Sequence, residues 1–200
     1  MAEGLRDAVP ENAVHLCIDM QRMFVEETAW RLDWAERVMP QIVRLCEGRP
    51  ERTAFTRFIP AARPGEGRGA WRRYWTRWAS MTLERIDPGL VDLALPLQRF
   101  VPPGRLIDKH VYSPWVGSDL DAVLSRSGVD TLIVTGGETD VCVLATVLAA
   151  VDLGYRVVIA QDAVCSSADG PHDDLLRLYH DRFSQQIETA TVDEILDGWR

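Results

Sequence analysis

The sequence predicts an α/β domain in which helices cover both faces of a mainly parallel sheet. Short apolar segments rich in β-branched residues alternate along the chain with segments of helical spacing, an order typical of parallel sheets. The chain has 200 residues, of which 46% are hydrophobic; this is enough for one sizeable core and demands no second domain. We therefore predict a single three-layer domain over residues 1–200, with a flexible leader at 1–12.

Three strands are predicted in the first half of the chain. Each is a short apolar run, and they cover residues 13–18, 53–56 and 105–107. Apolar residues recur at helical spacing over residues 32–46, where Pro40 predicts a kink. A further apolar helix is expected at 88–97.

Three more strands are predicted in the second half, at residues 132–134, 157–160 and 186–188. The first of them leads through Gly136-Gly137 into an apolar helix that Thr139 or Asp140 can cap and Gly154 can close. The glycine pair also allows the backbone to approach a ligand closely. Other helices are expected at about 118–127, around His172 and His180, and after a cap at 191–193.

Residues 58–86 differ in character from the rest of the chain. A loop rich in Pro, Gly and Arg leads into a short helix that carries Trp71, Trp75 and Trp78 on one stripe. These indoles can be buried on the sheet or in a subunit interface. Alternatively, the segment is a lid that gives a pocket aromatic walls and an arginine for a polar substrate. The arginines available for that role are Arg72, Arg73 and Arg77.

Composition excludes several classes of partner. The net charge of −8 argues against nucleic acid and anionic membranes, which select basic surfaces. No continuous apolar run is long enough to span a bilayer, and the N-terminus has no apolar signal-peptide core. We expect a cytoplasmic protein.

The cysteines and histidines are dispersed along the chain. The four cysteines form no CxxC pair and the four histidines form no HxxxH or HxH pair, so neither a disulfide framework nor a metal centre is indicated. The phosphate-binding patterns GxGxxG and GxxxxGK[ST] are also absent. We therefore expect no metal and no cofactor.

Three reactive side chains follow predicted strands. Asp19 comes after the first strand, Lys109 after the third, and Cys142 lies in the first turn of the helix after the fourth. Open α/β sheets bind ligands at the carboxyl ends of their strands, and a helix N-terminus favours a thiolate. Each residue also has a plain interpretation, as a turn aspartate, a solvated lysine and a small core cysteine.

These residues lie in three motifs that resemble the isochorismatase-like cysteine hydrolases, a family that includes nicotinamidases, N-carbamoylsarcosine amidases and ureido amidohydrolases. The segment GGETDVCVLATVLAAVDLGYRVVIAQDAV is similar to the family's run around its nucleophile, IDMQ to its Asp-x-Gln, and DKHVYSPWVGSDL to its Lys, Ser and aromatic pattern. The resemblance covers nearly the whole chain. It implies a six-stranded, Rossmann-like parallel sheet with a triad of Asp19, Lys109 and Cys142 at its carboxyl edge.

The resemblance also implies roles for these residues. Asp19 would take the thiol proton of Cys142, and Lys109 would hold both the carboxylate and the developing thiolate. The backbone N–H groups of Glu138 and Cys142 would form an oxyanion hole. A cis peptide between Gly137 and Glu138 and a homodimer or homotetramer are further expectations.

Departures from the family pattern reduce the number of reactions that we expect. Metal-dependent nicotinamidases carry Asp and His after the second strand, where this chain has Phe58 and Pro60, so that activity is not expected. Isochorismatases that cleave a vinyl ether lack the cysteine, and Cys142 therefore favours hydrolysis of a C–N bond. Glu138 stands where many relatives have a small apolar residue, and its carboxylate can face either a pocket or solvent.

Two functions remain open at this stage. The first is a metal-independent cysteine hydrolase that cleaves an amide, carbamoyl or ureido bond of a small molecule through a thioester, with a Cys-His pair using His110 or His172 as a lesser mechanistic alternative. The second is a non-catalytic or redox-sensitive protein of the same fold. The candidates for substrate binding are Gln21, Phe24, Trp75, Tyr112, Trp115 and Glu138.

Overall fold

The computed structural model describes residues 4–200 and contains one six-stranded sheet in which each pair of neighbouring strands is parallel. The strands are β1 (Val14–Ile18), β2 (Thr53–Phe58), β3 (Arg105–Lys109), β4 (Thr131–Gly137), β5 (Arg156–Cys165) and β6 (Ile187–Ala190). Their order is β3-β2-β1-β4-β5-β6. Strands β2 and β3 thus lie on one side of β1, and β4, β5 and β6 lie on the other. Sheets of this type bind ligands at the point where the strand order reverses, here between β1 and β4.

Eight α-helices lie in the described residues. They are α1 (Arg22–Val25), α2 (Ala35–Gly48), α3 (Ala70–Arg77), α4 (Leu95–Gln98), α5 (Leu120–Arg126), α6 (Leu144–Asp152), α7 (Asp169–Arg182) and α8 (Val192–Gly198). Thr191 caps α8 in a reciprocal capping box with Glu194, as the predicted cap requires. Over residues 4–200 no helix is long and apolar enough to cross a membrane.

The core has two halves, one on each face of the sheet. Helices α2 and α8 bury Ile42 and Ile195 against the face that presents Ile133. Helices α5 and α6 bury residues such as Leu124 against the face that presents Leu132 and Val134. Successive residues of β4 therefore point into opposite layers, and the predicted three-layer α/β architecture is confirmed.

Two predicted elements differ in extent. The helix expected at residues 88–97 is broken into a short 3₁₀ turn at Pro88–Val91 and α4. Between them Ala94 donates to the carbonyl of Met20 at 2.9 Å, so the end of β1 draws this segment into an extended form. Strand β5 runs to Cys165 because it continues beside β4, past a bulge, and pairs with Gly136 and Gly137.

Residues 4–12 of the predicted flexible leader are packed against the C-terminus. Val9 is buried, its N–H donates to the carbonyl of Gly198 at 2.9 Å, and its carbonyl accepts from Arg200 at 2.9 Å. The guanidinium of Arg156 donates to the carbonyls of Asp7 and Ala8. These hydrogen bonds satisfy the leader's backbone and hold it in place. Residues 1–3 of the leader lie outside the described residues.

Gly136 allows β1 and β4 to meet closely at their carboxyl ends. Its φ is +97°, and a Cβ at this position would lie 2.1 Å from the carbonyl oxygen of Ile18, so only glycine fits. The glycine pair therefore serves the approach of a neighbouring strand. This contact brings the residue after β1, Asp19, beside the turn that follows β4.

Buried His15 predicts that acid destabilises the fold. Its ring lies between Thr135 (2.8 Å) and Thr53 (3.4 Å), and burial lowers its pKa from 6.5 to about 3. The unfolded chain therefore binds a proton first, and the stability that neutral His15 contributes above about pH 6.5 is lost as the pH falls towards 3. We expect the free energy of unfolding in urea to fall by up to about 1.4 kcal/mol per pH unit more steeply in the wild type than in His15→Gln.

The control is His110→Gln, which changes a histidine that is exposed on the surface and should keep the wild-type slope. Equal slopes for the wild type and His15→Gln between pH 6.5 and 4 would contradict the prediction.

Candidate active site

The ends of three strands bring Asp19, Lys109 and Cys142 together. Lys109 Nζ lies 2.6 Å from Asp19 Oδ2 and 3.4 Å from Cys142 Sγ. Asp19 and Lys109 are each 1% exposed, and Cys142 is 8% exposed. Residues separated by more than a hundred positions thus form one buried cluster, at the edge of the sheet where the sequence predicts it.

Lys109 reaches Asp19 by passing over the end of β2. Strand β2 lies between β1 and β3, and its last residue, Phe58, places its ring 5.1 Å from the ammonium nitrogen. The ring face attracts the cation, and the carbonyl of Val111 accepts a hydrogen bond from Nζ at 3.2 Å. Phe58, which stands where a metal-dependent nicotinamidase would carry a metal ligand, therefore stabilises the Lys109 ammonium.

Thr56 holds the carboxylate of Asp19. Its hydroxyl donates to Asp19 Oδ1 at 2.5 Å and accepts from the Asp19 N–H at 3.1 Å. Asp19 has a φ of +50°, a region that Asp tolerates better than most residues. Asp19 Oδ2 is buried, and its partner in residues 4–200 is the Lys109 ammonium at 2.6 Å. Sequence analysis missed Thr56, for which the available signal was a hydroxyl within a buried strand.

Burial and charge act together on the ionisation of the cluster. Burial raises the pKa of the Cys142 thiol, the charge of Asp19 raises it further, and Lys109 only partly opposes them. Burial lowers the pKa of Lys109, but the charges of Asp19 and Cys142 outweigh it and the net direction is upward. The resting cluster is therefore an ion pair beside a neutral thiol. This differs from the thiolate that a helix N-terminus by itself would favour.

Cys142 lies in a single π-helical turn, Thr139–Val143, ahead of α6. The expected α-helical turn with a Thr139 or Asp140 cap does not form, because both side chains bind elsewhere. The Thr139 hydroxyl donates to the carbonyl of Cys165 at 3.1 Å, and Asp140 accepts from Ser166 at 2.5 Å. Turns of this kind are frequent at functional sites.

The backbone before the turn has the expected cis peptide between Gly137 and Glu138. The carbonyl of Glu138 accepts from the N–H groups of Val141 and Val143 at 3.1 and 3.0 Å. The Thr146 hydroxyl donates to the carbonyl of Cys142 at 2.6 Å. These contacts fix the turn, while the predicted oxyanion hole of Glu138 and Cys142 N–H groups stays a prediction.

Neither histidine proposed as a partner for Cys142 is bonded to its sulfur. His172 places Nδ1 2.9 Å from the Thr139 hydroxyl, and His110 is exposed at a different depression, beside Trp71 and Val111. Within residues 4–200 the side-chain hydrogen bond to the sulfur comes from Lys109. The geometry therefore favours the Asp-Lys-Cys arrangement.

Cys142 opens into a cavity of about 270 Å³. This is at the lower end of the volumes of small-molecule sites. The walls are mainly aromatic and aliphatic, with polar groups near the sulfur and at the mouth. The lining residues are Phe24, Ala29, Trp30, Arg31, Leu32, Phe58, Tyr74, Trp78, Tyr112, Glu138, Val141, Cys142 and Ser167.

Three of the six substrate-binding candidates, Phe24, Tyr112 and Glu138, lie on this lining. Gln21 does not, because its amide is fully buried and bonded to backbone. It donates to the carbonyls of Phe58 and Val91 at 3.1 and 2.7 Å and accepts from the Phe58 N–H at 2.7 Å. Its role in the structure is to join β2 to the segment before α4.

Trp75 and Trp115 also lie off the lining. Trp75 is 3% exposed and stacks on Phe58 at 5.9 Å. Trp115 stacks on Tyr155 at 5.3 Å, and its indole N–H donates to the carbonyl of Thr146 at 2.9 Å. Trp75 is therefore packed behind the cavity wall, and Trp115 is packed on α6 and Tyr155.

The segment 58–86 contributes a wall of the cavity through Tyr74 and Trp78. Its arginines Arg72, Arg73 and Arg77 are exposed on α3 and outside the lining. Other lining residues that sequence analysis missed, Trp30, Arg31 and Ser167, lie in segments without a motif. Trp30 contacts Trp78 and Tyr74 at 5.8 and 6.2 Å between ring centroids, so the two segments pack on each other.

The part of the chain that the structure describes holds no cluster of three or more His, Cys, Asp or Glu side chains that could bind a metal. The positions of the family's metal ligands are occupied by Phe58 and Pro60, both buried. Neither side chain has a donor atom for a metal.

Comparison with known proteins agrees with this geometry. The family model described as the isochorismatase domain matches residues 13–191. The chain belongs to the isochorismatase family. A probable inactive nicotinamidase of Arabidopsis thaliana is 27% identical over 80% of this chain and 84% of its own.

Two solved structures show the same isochorismatase fold. A cysteine hydrolase of Pseudomonas syringae pv. phaseolicola 1448A has a TM-score of 0.82 at 24% identity, over 100% of this chain and 97% of its own. An N-carbamoylsarcosine amidase of Thermoplasma acidophilum has a TM-score of 0.73 at 20% identity, over 92% of this chain and 97% of its own. At these identities the likeness is one of fold.

The buried ion pair predicts a non-additive effect on stability. Lys109→Met leaves the Asp19 carboxylate buried without its cation, and we expect it to lower the free energy of unfolding by about 3–5 kcal/mol. Asp19→Asn/Lys109→Met removes both charges and should regain most of that loss. Urea unfolding of the wild type, both single variants and the double variant measures this coupling.

The matched control is the exposed pair of Arg99 and Glu47, for which the same cycle should give less than about 1 kcal/mol. Additive losses for Asp19→Asn and Lys109→Met would show that the two charges are not coupled.

Proposed function

We propose that this protein is a metal-independent cysteine hydrolase that cleaves the C–N bond of a small amide, carbamoyl or ureido compound through a thioester. The observation that carries the proposal is the Cys142 sulfur on the wall of a cavity, 3.4 Å from an ammonium that is paired with Asp19. A nucleophile, a base and a cation within one side chain's reach are what acyl transfer needs.

In the first step the Cys142 sulfur attacks the carbonyl carbon and its thiol proton passes to Asp19. Asp19 Oδ2 suits this role, since it is buried and the Lys109 ammonium is its one polar partner in residues 4–200. A raised thiol pKa means that the proton leaves only as the S–C bond forms. Lys109 stays protonated and balances the negative charge that moves from Asp19 to sulfur.

The carbonyl oxygen gains negative charge in the same step. In the proposal the backbone N–H groups of Glu138 and Cys142 receive it. The tetrahedral intermediate then collapses, the C–N bond breaks, and the departing nitrogen takes the proton from Asp19. Asp19 next removes a proton from water, the hydroxide attacks the thioester carbon, and the S–C bond breaks to release the acid. The proton on Asp19 then returns to the sulfur and restores the thiol and the carboxylate.

Hydrolysis of a C–N bond is the reaction class that the residues favour. One structural neighbour is named an amidase and another a cysteine hydrolase, and Cys142 is present here beside Lys109 and Asp19. With Phe58 and Pro60 at the metal-ligand positions, no step of the proposed reaction needs a metal.

A non-catalytic role is the second candidate, because the name of one relative describes it as a probable inactive nicotinamidase. In that case the cavity would bind a ligand and Cys142 would react only with oxidants. An acyl adduct on Cys142 separates the two functions, since only a hydrolase forms one.

Cellular location and assembly belong to the same proposal. We expect the protein in the cytoplasm, where its four free and buried cysteines would stay reduced. A homodimer or homotetramer with no nucleic-acid or membrane partner is the expected assembly.

The mechanism predicts that Cys142→Ala and Cys142→Ser abolish hydrolysis. Both remove the sulfur nucleophile, and we expect kcat to fall at least about 10³-fold for a panel of small amides, carbamates and ureido compounds assayed by ammonia or amine release. Intact-protein mass spectrometry of the wild type after rapid quenching should detect the added acyl mass, and peptide mapping after digestion should place it on the peptide that contains Cys142.

Cys46→Ala is the matched control, since Cys46 is a fully buried cysteine in the core below the sheet and its loss should leave kcat within about twofold. Wild-type turnover by Cys142→Ala would refute the mechanism, as would an adduct found only on another cysteine.

A further inference from the structure

We propose that the cavity selects amide substrates that carry a positive charge away from the scissile bond, and that the Glu138 carboxylate recognises this charge. The inference rests on the proposed hydrolase function and adds the substrate class. It comes from the position of Glu138, the balance of charge around the cavity and the nature of the walls.

One carboxylate oxygen of Glu138 accepts no hydrogen bond from the described residues, and Glu138 directly precedes the turn that contains Cys142. The residue is half-buried, and it lines the same cavity as Cys142. Its Oε1 accepts from the hydroxyl and the backbone N–H of Ser167, the latter at 3.3 Å. Its Oε2 makes no hydrogen bond with any residue of the described chain. Ser167 is exposed, so this carboxylate lies towards the mouth, where the far end of a bound amide would be.

The charges of the other lining residues are compensated. Arg31 pairs with Glu27 and lies 3.9 Å from Glu36, and both of these acids are exposed. Lys109, which lies outside the lining, pairs with Asp19. In contrast, no cation in residues 4–200 forms an ion pair with Glu138. Glu138 is therefore the lining charge that lacks a counter-ion within the described residues, and it attracts a cationic ligand and repels an anionic one.

The walls reinforce this preference. Six aromatic side chains line the cavity, and Trp30 contacts Phe24 and Trp78 at 5.9 and 5.8 Å between ring centroids. Aromatic faces attract a ligand cation as well as burying its apolar part. A neutral ligand is stabilised only by burial of its apolar surface. An anion is repelled by the negative faces of the rings.

The position of Glu138 is consistent with an effect on a neighbouring phenol. Burial raises the pKa of Tyr112, and the nearby carboxylate of Glu138 raises it further.

Three amides of closely similar shape test the charge preference. They are 1-methylnicotinamide, which is a permanent cation, 3-methylbenzamide, which is its neutral counterpart, and 3-carbamoylbenzoate, which is an anion. Measured by ammonia release, kcat/KM should be at least about tenfold higher for the cation than for the neutral amide, and lowest for the anion.

Glu138→Gln separates charge from shape. The amide keeps an oxygen that can accept from Ser167 but removes the negative charge. We expect the ratio of kcat/KM for the cation to that for the neutral amide to fall about tenfold. Glu51→Gln, which removes an equal charge from an exposed position before β2, should keep the wild-type ratio.

The outcomes distinguish this inference from the hydrolase proposal. If the wild type hydrolyses the neutral amide as well as the cation, the charge preference is wrong while the hydrolase function stands. If no amide is hydrolysed, calorimetric binding to Cys142→Ala decides. Binding of the cation at least about tenfold more tightly than the neutral amide, lost in Glu138→Gln/Cys142→Ala, supports the preference. Equal binding, or no binding of the cation, overturns it.

Discussion

The ion pair between Asp19 and Lys109 joins the ends of β1 and β3 across the strand that separates them. Burying two charges costs several kcal/mol each, which their attraction offsets only when the remaining polar groups are satisfied. Thr56, the carbonyl of Val111 and the ring of Phe58 supply that support. The position of the Cys142 sulfur follows from the pair, because the same ammonium contacts it.

In the proposed reaction this arrangement keeps the thiol neutral until a substrate arrives. A buried thiolate would be a stronger nucleophile but would have to be held in a poorly solvated place beside a carboxylate. The ion pair instead provides a base that is already charged and a cation that remains when the proton moves. In the proposed reaction the charge is therefore redistributed within the cluster and none has to be brought in from solvent.

Reactivity and selectivity are located on different parts of the structure. Strand ends hold the reactive cluster, where backbone pairing leaves little freedom. The cavity walls come from the loop with Trp30, from α3 and the residue after it, and from the segment with Tyr112. Loops can change without disturbing the sheet, and the two solved structures share this fold at identities of 24% and 20%. Glu138 is the exception, since its backbone adjoins the turn of Cys142 and its side chain extends to the mouth.

The sequence by itself determined the order of strands and helices and the three residues at the strand ends. Both follow from local patterns, because a buried strand is a short apolar run and the residue after it must lie at the carboxyl edge. Only the tertiary structure decided where side chains without such a pattern go. The amide of Gln21 is bonded to the backbone of Phe58, Trp75 packs behind the cavity wall on Phe58, and Trp115 packs on Tyr155.

Trp30, Tyr74 and Trp78 line the cavity instead. Local sequence patterns did not predict the π-helical form of the Cys142 turn either. That form depends on the partners of Thr139 and Asp140, which lie in a distant segment. The destination of an aromatic or amide side chain depends on which groups the sheet brings beside it, and those contacts are long-range.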